Sequence, residues 1–226
     1  MAALMRRVGP FRLQLRPFHS PFAALAESIV YQQLHGKAAA SIFARLCERV
    51  GTGTAFTPEA LLATPEPALR GAGLSGAKTA ALKDLAQKTR DGAVPTMAEV
   101  PRLSDAELIE RFTQVRGIGQ WTVEMLLIFR LGRPDVLPVD DYAIRKGFML
   151  MHGLKESPRP REVLAYGERW RPWRTVASWY LWRSLDAPEA QAQKAPGPST
   201  PAVPQSPQAR SSKARTSSSV TRRKSA

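Results

Sequence analysis

A single cysteine, Cys47, in 226 residues rules out an internal disulfide, a cysteine-rich zinc site and a four-cysteine iron–sulfur cluster. Its neighbours Phe43, Leu46 and Val50 predict a buried structural thiol. Histidine is scarce too, at three residues, and His19 and His152 show no ligand spacing. Acid is in deficit: 19 Asp and Glu stand against 33 Lys and Arg, a net charge of +14. No apolar run approaches the ~20 residues of a membrane span, and the two arginines near the N-terminus are followed by no apolar stretch of a signal peptide. Those absences predict a soluble, cytoplasmic protein with no membrane partner. Alternation of apolar and polar residues is also missing, except over Phe11 to Leu15, which leaves little room for a sheet.

What is present is enough apolar residue, 43%, for one domain with a buried core. From Ala187 onward the chain is rich in Pro, Ser, Ala and Gln, and seven Lys or Arg face the single acid Glu189. Such a segment buries too little apolar surface to offset its ordering entropy. We read 187–226 as a disordered basic tail, either a solubilising extension or a non-specific contact with polyanions. Residues 1–186 keep a net +8 of their own, which favours a polyanionic partner.

The body reads as all-α, a bundle of short helices. Ser20-Pro21 is a start signal, and Phe22, Leu25, Ile29 and Val30 recur at helical spacing up to Leu34. Further helices are predicted over Ala38–Val50, Thr57–Leu62, Pro65–Arg70 and Ser75–Thr89. Ser104-x-x-Glu107 forms a capping box before Leu108, Ile109 and Phe112. Helices then follow over Gln120–Leu131, Asp141–Met151, Arg161–Trp170 and Trp173–Leu185.

Two short motifs carry the chemistry. In Val115-Arg116-Gly117-Ile118-Gly119-Gln120-Trp121-Thr122, two glycines flank one apolar residue and lead into a helix. Glycines allow a backbone to approach a ligand closely, and the free N–H groups of a helix start attract a phosphate. A backbone grip of that kind reads phosphate and not base sequence. About twenty residues on, Leu137-Pro138-Val139-Asp140-Asp141-Tyr142-Ala143-Ile144 delivers two carboxylates to the start of another helix.

Together these segments resemble the helix-hairpin-helix superfamily of base-excision DNA glycosylases, with its hairpin, Gly/Pro-rich loop and aspartate. Within it the chain most resembles the DNA-3-methyladenine glycosylase II family. Ile29-Val30-Tyr31-Gln32-Gln33-Leu34, Gly73-Leu74-Ser75 with Lys78, Glu168 to Arg174, and Trp179-Tyr180-Leu181-Trp182 add to the likeness, which spans roughly residues 10–186. It implies two helical subdomains with a cleft between them. It also implies a partner, double-stranded DNA with damaged bases, and a monomer acting at the nucleoid.

The resemblance implies roles residue by residue. The family's aspartate has a branched apolar residue three positions on; Asp141 has Ile144 there and Asp140 has Ala143, so Asp141 is the catalytic candidate and Asp140 the helix cap. Trp121, Tyr142, Trp182 and Met125 match the base pocket. Gly117, Ile118, Gly119, Gln120 and Thr122 match the phosphate grip. Gln33, Leu34 and His35 are alternative wedges that fill the gap left by an extruded base, and Lys37 and Lys78 are candidate phosphate contacts. Trp170, Trp173 and Trp179 read as packing residues. No cofactor and no side-chain metal site are expected, although the family's hairpin can hold a cation on the carbonyls of Thr113, Val115 and Ile118. Only about twenty residues precede the first clear helix, so the N-terminal β-rich domain of two-domain relatives is expected to be missing.

One carboxylate suffices for N-glycosidic cleavage, because positive charge builds on the sugar and can be stabilised electrostatically. Where strand-cutting relatives carry a nucleophilic lysine, this chain has Trp121, which forms no Schiff base. The expectation is a monofunctional enzyme that excises alkylated purines of the 3-methyladenine type. The alternatives are the same fold acting on another damaged base, or a DNA-binding damage sensor without catalysis.

Overall fold

In the computed structural model, residues 1–17, 19–51 and 56–186 are described; the basic tail predicted over 187–226 lies outside them. Helices and connecting turns make up the described residues, with no strand among them. The elements are α1 (Ala2–Val8), α2 (Pro21–Tyr31), α3 (Gly36–Val50), α4 (Pro58–Ala63), α5 (Glu66–Gly71), α6 (Gly76–Arg90), α7 (Asp105–Thr113), α8 (Gln120–Phe129), α9 (Tyr142–His152), α10 (Pro160–Gly167) and α11 (Arg174–Arg183). No helix among the described residues is long and apolar enough to cross a membrane.

Local chemistry sets most helix starts. Ser20, Thr57 and Ser75 each accept a backbone N–H from the first turn of the helix they precede, of Ala23, Ala60 and Lys78 respectively. Ser104 and Glu107 form the reciprocal capping box expected from the sequence. Phe11–Leu15, the one stretch with an alternating pattern, is an extended strap: the Arg16 N–H bonds to the Phe129 carbonyl (2.8 Å) and the Tyr180 hydroxyl to the Gly9 carbonyl (2.8 Å), but no ladder forms. Helix α1 was not foreseen. It has no capping side chain and is fixed by burying Leu4.

Two apolar cores divide the body. The larger joins α2, α3, α6, α7 and α8 through Leu25, Ile29, Leu46, Leu82, Leu85, Phe112 and Leu127. The smaller joins α1, α9, α10 and α11 through Leu4, Ile144, Phe148, Val163 and Leu181. Trp182 packs against both, so the expected two-part body is present and an aromatic ring stands at its seam. Gly147 lets α9 and α11 touch backbone to backbone: a Cβ there would sit 2.3 Å from the Leu181 carbonyl oxygen. Cys47 is half-buried rather than buried; burial, then the charges of Glu27 and Glu48, push its thiol up. Of the tryptophans read as packing residues, Trp179 is buried and Trp170 half-buried, whereas Trp173 is exposed.

Candidate active site

The seam between the cores is where the two sequence motifs meet. Asp141 precedes α9 and accepts the Ile144 N–H through Oδ1 (2.9 Å), so it is the helix cap. The cap is therefore Asp141 and not Asp140, which is exposed. The offset that singles out Asp141 by its Ile144 is the same offset that capping uses. Two indoles converge on the same half-buried carboxylate. Trp121 Nε1 donates to Oδ2 (2.7 Å) and Trp182 Nε1 to Oδ1 (3.2 Å). Trp121 is 49% exposed and Trp182 stacks on Phe129 with ring centroids 5.5 Å apart. The group therefore has three donors and an aromatic wall on each side.

The other pocket residues are arranged less tightly. Tyr142, the first residue of α9, is 70% exposed and stands free in solvent. Met125 lies one turn along α8 from Trp121. It lines a cleft of about 300 Å³ with Tyr31, Ser28 and Phe129, and the ion-paired Glu27 and Arg130 also line it.

The glycine hairpin has the predicted form. Gly117 takes a φ of +79°, and Ile118 closes the turn by donating its N–H to the Val115 carbonyl (3.0 Å). Gly119 precedes α8 with no capping side chain. Among the described residues the N–H groups of Gly117, Gly119, Gln120 and Trp121 have no protein acceptor. Four free donors at a helix start make an anion cradle. The rest of the turn is engaged within the fold. Ile118 is buried in the larger core, Gln120 turns inward to Glu124 (2.9 Å), and the Thr122 N–H is taken by the Gly119 carbonyl. Of these three only Gln120 keeps a free N–H for such a cradle, since the Ile118 N–H bonds to the Val115 carbonyl. No metal-binding group of His, Cys, Asp or Glu occurs among the described residues. The hairpin carbonyls of Thr113 and Ile118 accept no hydrogen bond among the described residues, a donor set that fits a hard cation.

On the turn after α2, Gln33 has a φ of +57°, the only positive φ of a non-glycine residue among those described. Its side chain, Leu34, His35 and Lys37 are all exposed. Lys78 is engaged within the fold: its ammonium donates to the carbonyls of Val30 (2.7 Å) and Gln32 (2.8 Å), and burial lowers its proton affinity.

Three participants were not foreseen. Glu124, on α8, is buried, and its carboxyl is raised by burial, against the Gln120 hydrogen bond and with the charges of Asp140 and Asp141. Asp84 and Lys88, on α6, hold the hairpin: Asp84 accepts the Arg116 N–H (2.7 Å), and Lys88 bonds to Asp84 (2.9 Å) and to the Gln114 carbonyl. Burial alone would raise Asp84, but the Arg116 N–H and Lys88 outweigh it and lower the carboxyl. The i, i+4 spacing of Asp84 and Lys88 was visible in the sequence; their target was not.

The chain is similar to known proteins. Residues 26–172 match the model of the HhH-GPD superfamily of base excision DNA repair proteins. The chain is 45% identical over 164 residues to DNA-3-methyladenine glycosylase 1 of Schizosaccharomyces pombe, covering 73% of this chain and 72% of the relative. A solved structure of the S. pombe 3-methyladenine DNA glycosylase in complex with abasic DNA superposes with a TM-score of 0.71 at 41% identity, over 83% of this chain and 92% of that one. A DNA-3-methyladenine glycosidase from Bacillus halodurans gives a TM-score of 0.75 at 34% identity, over 84% and 85% of the two chains.

Proposed function

The chain belongs to the HhH-GPD superfamily of base excision DNA repair proteins, and from that membership we propose that it is a monofunctional DNA glycosylase releasing alkylated purines of the 3-methyladenine type. The observation that carries the reading is Asp141. It is a carboxylate aimed by three donors, flanked by two indoles, on the seam beside a turn with four free N–H groups.

In this reading the turn from Gly117 to Trp121 takes a phosphate of double-stranded DNA, bound by a monomer. A cation on the Thr113, Val115 and Ile118 carbonyls would stiffen that turn, and no chemical step passes through it. Gln33 is the wedge that fills the vacated stack; its positive φ is the kind of local strain that collects at functional sites. Leu34 and His35 flank it, and Lys37 lies near a neighbouring phosphate. The extruded base rests against Trp121, Tyr142, Trp182 and Met125. An indole face attracts a cationic base by ~0.5–2 kcal/mol.

Asp141 then faces the sugar. As the bond from C1′ to the base nitrogen breaks, its electron pair leaves with the base, and positive charge grows on the sugar. The carboxylate stabilises that charge and orients a water, whose oxygen bonds to C1′ and whose proton is lost. An alkylated, cationic base leaves as a neutral molecule and needs no separate acid. Because Trp121 occupies the position of a nucleophilic lysine, the product is an abasic site on an intact strand.

The test is incubation with methylated duplex DNA. Free bases are identified by mass spectrometry and strand integrity is read before and after alkali. Release of 3-methyladenine, with strands broken only by alkali, is expected. No released base from the wild type would sink the reading, and breakage without alkali would sink its monofunctional part.

A further inference from the structure

The wedge turn and the phosphate-gripping turn lie on segments 85 residues apart in sequence, yet one side chain joins them. Gln32 ends α2 and its amide Nε2 donates to the Gly117 carbonyl at 2.8 Å. Gly117 is the hairpin residue with positive φ, and Gln33, next to Gln32, is the strained wedge candidate. The Gln32 carbonyl is in turn held by the Lys78 ammonium, which also takes the Val30 carbonyl and so caps the end of α2. Six residues along the same helix, about 9 Å, Asp84 and Lys88 clasp the other side of the hairpin through the Arg116 N–H and the Gln114 carbonyl. α6 thus holds both turns, and Gln32 ties them to each other.

We propose that Gln32, held by Lys78, is a positioning residue that couples phosphate engagement at the hairpin to insertion of the Gln33 wedge. The assignment rests on the glycosylase reading above. Its logic is mechanical. The Gly117 carbonyl belongs to the turn that meets the phosphate, so displacement of that turn moves the Gln32 amide, and the adjacent Gln33 backbone has little freedom to absorb the shift. Without the tie, the wedge turn and the grip move independently. The step that suffers is base extrusion from a paired stack, not bond cleavage.

The experiment compares wild type with Gln32→Met, which keeps chain length and loses the donor, on two duplexes. In one the alkylated base is paired; in the other it lies opposite an abasic analogue, where extrusion is cheap. Single-turnover release from the paired site should fall about tenfold, the scale of one lost hydrogen bond. Release opposite the abasic analogue should stay within about twofold. Lys78→Met should give the same pattern and serves if Gln32→Met fails to fold. A second readout needs no catalysis: 2-aminopurine beside the target should brighten on wild-type binding as the wedge unstacks it, and brighten less with either variant at saturation. Equal loss on both duplexes, no loss on either, or unchanged 2-aminopurine brightening would overturn the proposal. Failure of wild type to release base, with the fluorescence contrast intact, would instead count against the glycosylase reading.

Discussion

Asp141 combines two jobs that substitutions can separate. As a cap it satisfies the Ile144 N–H, and as a carboxylate it accepts from Trp182 and Trp121. Asp141→Ala removes the cap, worth ~1 kcal/mol. It also strands the half-buried Trp182 N–H, at about 1 kcal/mol, the low end for an unmet buried donor. Trp121 is half-exposed and regains water at little cost. The sum is about 2 kcal/mol, or a fall in Tm of roughly 4–8 °C for a body of this size. Asparagine is as good a cap as aspartate. In Asp141→Asn the amide oxygen keeps both the Ile144 and Trp182 bonds, leaving only Trp121 opposite an NH2, so the loss should stay below about 0.5 kcal/mol. Thermal unfolding followed by far-ultraviolet circular dichroism measures both variants. If the asparagine variant melts as low as the alanine variant, capping geometry is not what Asp141 supplies to the fold and the partition is wrong.

Gly147→Ala should destabilise by about 3 kcal/mol, because its Cβ would meet the Leu181 backbone at 2.3 Å rather than a movable side chain; a melting temperature unchanged in calorimetry would refute that contact. Glu124 has a raised carboxyl, so its contribution is full below the unfolded value of about 4.3 and is lost as pH climbs through the folded one. The Tm advantage of Glu124→Gln over wild type should therefore grow from acid toward neutral pH, and a constant difference would contradict the assignment. With Trp121 in place of a lysine, borohydride should trap no covalent protein–DNA adduct during turnover. A trapped adduct on electrophoresis would restore lyase chemistry.

Helix starts were the most readable feature of the chain. Ser20, Thr57, Ser75 and Ser104 carry their own stop-and-start chemistry, and each caps the helix it announces. Helix ends were less so: α8 stops at Phe129 rather than Leu131, where the Leu131 N–H turns to the Leu126 carbonyl. α1 has no cap and owes its existence to a tertiary contact of Leu4, which no local pattern announces. At the site, the family resemblance brought out Asp141, Trp121 and Trp182, and the structure gathers them within hydrogen-bonding reach. It also shows that the side chains of Ile118 and Gln120 serve the fold, one in the larger core and the other on Glu124, while the free N–H groups of the turn belong to Gly117, Gly119, Gln120 and Trp121. The Gln32–Gly117 tie and the Lys78 clasp join residues 85 and 46 apart, so only the folded chain reveals them.

In the proposed function Asp141 drives cleavage and not merely folding or binding. Single-turnover base release from a duplex with one 3-methyladenine-type lesion tests it directly, with wild type and Asp141→Asn both at saturating protein. Release by Asp141→Asn should be at least about a hundredfold slower, the loss expected for one electrostatic group at a developing charge, with DNA affinity within about twofold. Release by Asp141→Asn at the wild-type rate would contradict it.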